Sequence, residues 1–182
     1  MKNVFLLITL LLLSGCATRV NVDYDLDSNF STVKTFQIQA KPVNEINDPR
    51  INSSFMQQRI IKAMGDTLTL KGLKFIKVTP DVIVKYHLAI NKELESDDSG
   101  ISIGFGSYSR HSAIGLAYGF PASEVSTVEN LVMNIDIVNA KTKQLLWRGS
   151  LARRLYDGST PETHTQLVNS LVAEILKQFP PK

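Results

Sequence analysis

Between Val82 and Leu94 the chain alternates with a period of two. Val82, Val84, Tyr86, Leu88, Ile90 and Leu94 fall on one side, and Lys85, His87, Asn91 and Glu93 on the other. That period is the signature of a β-strand, whose successive side chains point to opposite faces. Ile83 and Ala89 also lie on the second side, so that face is wet rather than purely polar. A strand that is dry on one side only belongs in a sheet covered on a single face, which favours antiparallel pairing. Leu131, Met133, Ile135 and Ile137 repeat the pattern against Asn130, Asn134 and Asp136. A polar turn through Asn139 to Lys143 then leads into Leu145, Trp147, Gly149 and Leu151, and the pair reads as a long hairpin. Shorter strands are expected at Val33–Gln39, where Phe36 and Ile38 share a face, and at Leu73–Val78.

Two segments carry the helical period instead. Met56, Ile60, Met64 and Leu68 recur every four residues, with Phe55 and Ala63 widening the stripe. Asn52 or Ser53 is suited to cap the start, and Gly72 suits the left-handed position past the end. Farther on, Thr160 caps, Pro161 enters the first turn, and Glu162 meets the positive end of the dipole. Leu167, Val168, Leu171, Val172, Ile175 and Leu176 form the second stripe, which Phe179-Pro180-Pro181 stops. Strands with two amphipathic helices and no βαβ rhythm predict an α+β fold, two layers, with both helices on one face of an antiparallel sheet.

The amino terminus carries different information. Lys2 precedes an almost wholly apolar run from Val4 to Leu13, the build of a secretory signal peptide. The run is too short to span a bilayer, which needs roughly 20 apolar residues. Leu13-Ser14-Gly15-Cys16 follows, and it resembles the lipobox of bacterial lipoproteins: leucine, two small residues, then cysteine. The resemblance implies cleavage before Cys16, a diacylglyceryl group on its thiol, and an acyl chain such as palmitate on its new α-amino group. Cys16 is the one cysteine of the sequence, so a disulfide is excluded. Several acyl chains give durable anchoring, since each buried CH₂ contributes about 0.8 kcal/mol. Ala17 rather than aspartate after the cysteine favours, by the same resemblance, the outer membrane, with the domain facing the periplasm. The expected organisation is a signal peptide over 1–15, a lipidated cysteine and tether over 16–29, and one domain over 30–182.

Composition narrows the function. Lys2 leaves with the signal, taking one from twenty basic side chains against seventeen acidic, a net charge of +2. Neither a basic cluster nor a repeat is present, and nucleic acid is not an expected partner. Several pieces of the mature sequence resemble lipoproteins of the domain-of-unknown-function family DUF4136. They are Asp23-Tyr24-Asp25 with Phe30-Ser31-Thr32-Val33-Lys34-Thr35-Phe36, Leu70-Lys71-Gly72, and Pro80-Asp81-Val82-Ile83-Val84-Lys85-Tyr86. Thr142-Lys143-Gln144-Leu145-Leu146-Trp147-Arg148-Gly149 and the tail Ile175 to Pro181 complete the set, in order. The resemblance implies an envelope lipoprotein with an α+β domain and carries no chemistry over.

Catalytic and metal patterns are weak. His87, His111 and His164 are far apart, and none sits in a zinc-binding spacing. His87 and His164 read as ordinary structural residues, with His87 exposed. Gly100-Ile101-Ser102-Ile103-Gly104 matches the letters of a nucleophile elbow, but alternating isoleucines make it a strand with no helix behind it. Asp97-Asp98 reads as a solvated turn rather than a calcium site. No cofactor, metal or catalytic residue is expected. Phe105, Tyr108, Tyr118 and Phe120, interleaved with glycines and with Arg110 near the tip, are expected in a hairpin that either is covered within its own sheet or contacts a partner protein, lipid or glycan. Trp147 is assigned to the core. The expected function is therefore a membrane-anchored, non-enzymatic binding or structural module of the envelope. The alternative is an envelope enzyme or small-ligand carrier acting on a cell-wall or lipid substrate.

Overall fold

The computed structural model describes residues 19–40, 42, 48–96 and 125–181. Its elements run β1 (Asn21–Tyr24), a 3-10 turn (Phe30–Thr32), β2 (Thr35–Ile38), α1 (Ser54–Leu70) and β3 (Lys74–Phe75). They continue with β4 (Val82–Ser96), β5 (Val125–Asn139), β6 (Leu145–Arg154) and α2 (Pro161–Lys177). The strands form one six-stranded sheet in the order β1-β6-β5-β4-β2-β3.

The long alternating segments behave as their period demands. β4 and β5 pair antiparallel over their full 15 residues, from Val82 opposite Asn139 to Ser96 opposite Val125. β5 and β6 form the expected hairpin, with a bulge between Ile137 and Val138. Val84, Tyr86, Met133, Ile135 and Ile137 are sealed from solvent on one face, and both helices lie over it. Tyr86 shows how dry that layer is, since burial pushes its phenol up to about 12.

The sheet is mixed, which corrects the expectation of a purely antiparallel one. β2 runs parallel to both of its neighbours, β3 and β4. β2, α1 and β3 thus form a βαβ crossover, a unit the sequence reading did not anticipate. The crossover is hard to see because β3 has two residues, both exposed, too few to set a period. Parallel neighbours cannot be joined by a tight turn, so a side chain fixes the register instead. The Asp81 carboxylate accepts from the backbone N–H groups of Lys34 (3.0 Å) and Thr35 (2.9 Å) and from the Thr35 hydroxyl (2.8 Å). The Asp81 N–H donates back to Thr35 Oγ1 at 2.9 Å. These donors hold the Asp81 carboxyl below its ordinary range, with the Lys34 backbone bond first among them.

Part of the segment read as tether is also structured. Asn21 to Tyr24 adds to the sheet as an edge strand, antiparallel to β6, with Tyr24 opposite Trp147. Four exposed residues have no period of their own, and pairing with β6 makes them a strand.

Both helices start as read. Ser53 Oγ accepts from the Met56 N–H, and Thr160 Oγ1 from the Thr163 N–H. Past α1, Gly72 sits at φ +88°, a conformation costly for any side chain. Met56, Ile60, Ala63, Met64 and Leu68 are buried, whereas Phe55, expected to widen the stripe, is exposed. It occupies the second position of α1, off the buried line. Gly149 permits the closest packing in the core: a Cβ there would collide with the Trp147 ring and lie 2.7 Å from Ile175 of α2.

Candidate functional site

The open face of the sheet carries an acid that is almost completely withdrawn from water. Alternation puts Asp136 of β5 on the side away from the helices, yet it is 4 % exposed. Its cover comes from flanking strands. Arg148 of β6, directly opposite in register, forks onto the carboxylate, Nε to Oδ1 at 2.6 Å and one terminal nitrogen to Oδ2 at 2.7 Å. From β4, His87 Nε2 meets Oδ2 at 2.9 Å. Asp23 of β1 lies opposite Arg148, so charged residues follow one another across four strands.

Burial pushes the Asp136 carboxyl up, but Arg148 and then His87 outweigh it and hold the group below its ordinary range. The Arg148 guanidinium is correspondingly held more firmly protonated, chiefly by its bonds to Asp136. Asp136 is thus a fixed negative charge that orients an imidazole and a guanidinium on an open surface. Arg148 is nearly half exposed at its side chain and His87 about a quarter, so both can meet a partner. No described serine, threonine or cysteine hydrogen-bonds the His87 ring, and the described residues contain no group of His, Cys, Asp or Glu suited to a metal ion.

A second charged cluster closes one end of the helix-covered side. Arg50 bonds Asp48 and Glu129 and reaches Asp157 at 2.8 Å, while Lys92 meets Glu129 at 2.9 Å. This network ties the approach to α1 onto β5.

The residues singled out from sequence distribute unevenly. Leu13, Ser14, Gly15 and Cys16, and the hairpin residues Phe105, Tyr108, Arg110, Tyr118 and Phe120, lie outside the described residues, as do Ser102, His111 and Asp97-Asp98. His87, expected to be exposed and bland, is partly buried and bound to Asp136. In the sequence Asp136 is one more polar position in an alternating strand. The signal that could have found it is the register, which sets Asp136 between Lys85 and Arg148. Trp147 is fully buried, and its indole N–H has no partner among the described residues. The same holds for Nδ1 of His164 in the first turn of α2.

The segments that carried the family resemblance meet in space. Tyr24 packs edge-on to Phe30 (6.2 Å between centroids), Phe30 to Phe179 (5.9 Å), and Phe179 to Trp147 (5.4 Å). Asp81 clamps β2, and Arg148 holds Asp136, as described above. These features define a two-layer α+β protein with a helix-covered core and an open sheet face braced by a buried carboxylate. The chain belongs to the family Domain of unknown function (DUF4136), whose model matches residues 20–181.

No curated protein matches in sequence. Among solved structures, the chain is similar to a PDZ domain protein from Parabacteroides distasonis, with 17% identity and a TM-score of 0.55. The likeness covers 91% of this chain but 36% of that one, so this chain spans little more than a third of that protein. A PelC dodecamer from Paraburkholderia phytofirmans shares 9% identity, covering 88% of this chain and 95% of that one, with a TM-score of 0.47. A minor lipoprotein from Acinetobacter baumannii shares 8%, covering 80% and 91%, with a TM-score of 0.38. At such identities the first likeness speaks for the fold, and the other two are too distant to bear on function. No helix among the described residues is long and apolar enough to cross a membrane.

Proposed function

We propose that this protein is an envelope lipoprotein, anchored through Cys16 in the outer membrane and facing the periplasm, whose domain acts as a non-enzymatic binding module. The observation that carries the reading is the order of signals at the amino terminus: Lys2, the apolar run to Leu13, two small residues, and the one cysteine. An anchored domain meets its partners at high local concentration, so weak contacts suffice. Two surfaces suit such contacts. One is the aromatic segment with Phe105, Tyr108, Arg110, Tyr118 and Phe120; the other is the open sheet face where Asp136 orients Arg148 and His87.

Labelling cells with radioactive palmitate tests the anchor. The wild-type protein takes up label and partitions into detergent, whereas Cys16→Ala does neither; unchanged membrane association in that variant would overturn the proposal.

The His87–Asp136 pair supports a second reading, an envelope hydrolase with His87 as general base. That reading requires a nucleophile or water beside the ring, and the bonding of Nε2 to Asp136 leaves Nδ1 as the base. Loss of turnover on peptidoglycan fragments or phospholipid in His87→Gln, with the fold intact, would favour it over the binding module.

A further inference from the structure

We infer that the free edge formed by β1 and the start of β6 is the surface this domain lays against the lipid bilayer, with Tyr24, Leu26 and Leu145 as its apolar contacts. The inference rests on the anchor proposed above and adds an orientation to it. Four residues separate Cys16 from Asn21, the first residue of β1, and the five steps between them reach about 17 Å when fully extended. The strand that begins there is therefore held close to the acyl chains.

That edge exposes apolar side chains among its charged ones. Leu26 is 84% exposed, Leu145 41% and Tyr24 37%. All three lie at one end of the β1–β6 ladder, because Tyr24 pairs with Trp147, the Asp25 N–H donates to the Leu146 carbonyl, and Leu145 opens β6. Burying such side chains in the interfacial layer is favourable in proportion to the apolar area removed from water. Tyr24 has the build of an interfacial residue, partly exposed and with its ring packed on Phe30.

Charge sets the depth. Lys141 and Lys143 are exposed in the adjoining turn and suit anionic headgroups. Asp23 and Asp27 are exposed on the same edge, and Asp25 is engaged by Ser28 and Gln144. This near balance, together with an edge-strand backbone that has no second strand beside it among the described residues, keeps the contact in the headgroup layer and out of the hydrocarbon.

The molecule supplies its own control. Leu70, Phe75 and Val78 are also exposed, but Phe75 lies on β3, the opposite edge. Five inter-strand spacings, about 24 Å, separate the two edges. An apolar patch that bound membranes without orientation would use either edge; a short tether at β1 selects one.

The test uses the acylated full chain reconstituted in phosphatidylethanolamine–phosphatidylglycerol vesicles, with a spin label introduced by Leu26→Cys, Leu145→Cys or Phe75→Cys. All three positions are exposed; Phe75→Cys also removes an edge-on ring contact with Phe36, so the fold of each variant is checked by circular dichroism before labelling. Labels at 26 and 145 are expected to collide several-fold less with an aqueous nickel chelate than the label at 75, and more with oxygen dissolved in the bilayer. Equal nickel accessibility at all three positions, in protein that still floats with the vesicles, would overturn the orientation and leave the anchor standing. Shielding of 26 and 145 from both probes would mean that copies pair edge to edge, and would overturn it too. Protein that fails to float with vesicles would bring down the anchor and the orientation together.

Discussion

The two faces of β5 each bury side chains, by different means. Toward the helices, Leu131, Met133, Ile135 and Ile137 are sealed by α1, α2 and their strand neighbours. On the other side Asp136 is nearly as inaccessible, but two polar arms cover it rather than a layer of the fold. The difference teaches that burial has two origins here. The covered face is dry because a second layer excludes water. On the open face, Asp136 is dry because the carboxylate has drawn its partners over itself. The first kind of burial drives folding, while the second roughly breaks even and mainly fixes where side chains point.

Removing a member of each arrangement breaks the comparison open. Trp147→Ala, which empties the space beside Phe179 and α2, is expected to cost about 4 kcal/mol, read as a lower urea midpoint with an unchanged slope. An effect below 1 kcal/mol would show that the aromatic corner is not part of the cooperative core. On the open face, Arg148→Met strips Asp136 of its bidentate partner, and water reaching the site from the exposed side limits the loss to about 2 kcal/mol. Adding Asp136→Leu to Arg148→Met is expected to recover most of that, because an apolar pair of similar volume needs no desolvated charge. A double variant as unstable as the single one would mean that the carboxylate supports more than its two arms.

The smallest effect is in the pH dependence. Because the folded carboxyl of Asp136 is held below its unfolded value, its contribution is present above about pH 4 and fades as the pH falls through the depressed value. Asp48 and Asp81 are depressed as well and act with the same sign. Asp136→Asn should therefore lower stability most at neutral pH, and the gap to wild type should narrow in acid, as followed by circular dichroism melts. A gap that widened in acid would reverse the assignment.

The covered face was far more legible in the sequence than the open one. β4, the β5–β6 hairpin and both helices follow from local periods and caps, since one face meets water and the other does not. β1 and β3 have four and two residues, and each exists as a strand because of a neighbour distant in sequence. The parallel placing of β2 depends on Asp81, 46 residues from Thr35, which no local pattern encodes. Asp136 was illegible for a related reason: its letter fits an exposed position, and its burial depends on His87, 49 residues away, and Arg148 across the turn. Phe55 is the converse case, an apolar letter at a helix start that faces water.

β1 has a mechanical consequence. Its ladder to β6 is four residues long, against fifteen for the ladder between β4 and β5. A pull transmitted from the amino-terminal side of Asn21 falls first on that short ladder and can peel it away while the central strands keep their register. The strand nearest the pull would then work as a fuse, lengthening the leash by a few residues before the load reaches the core.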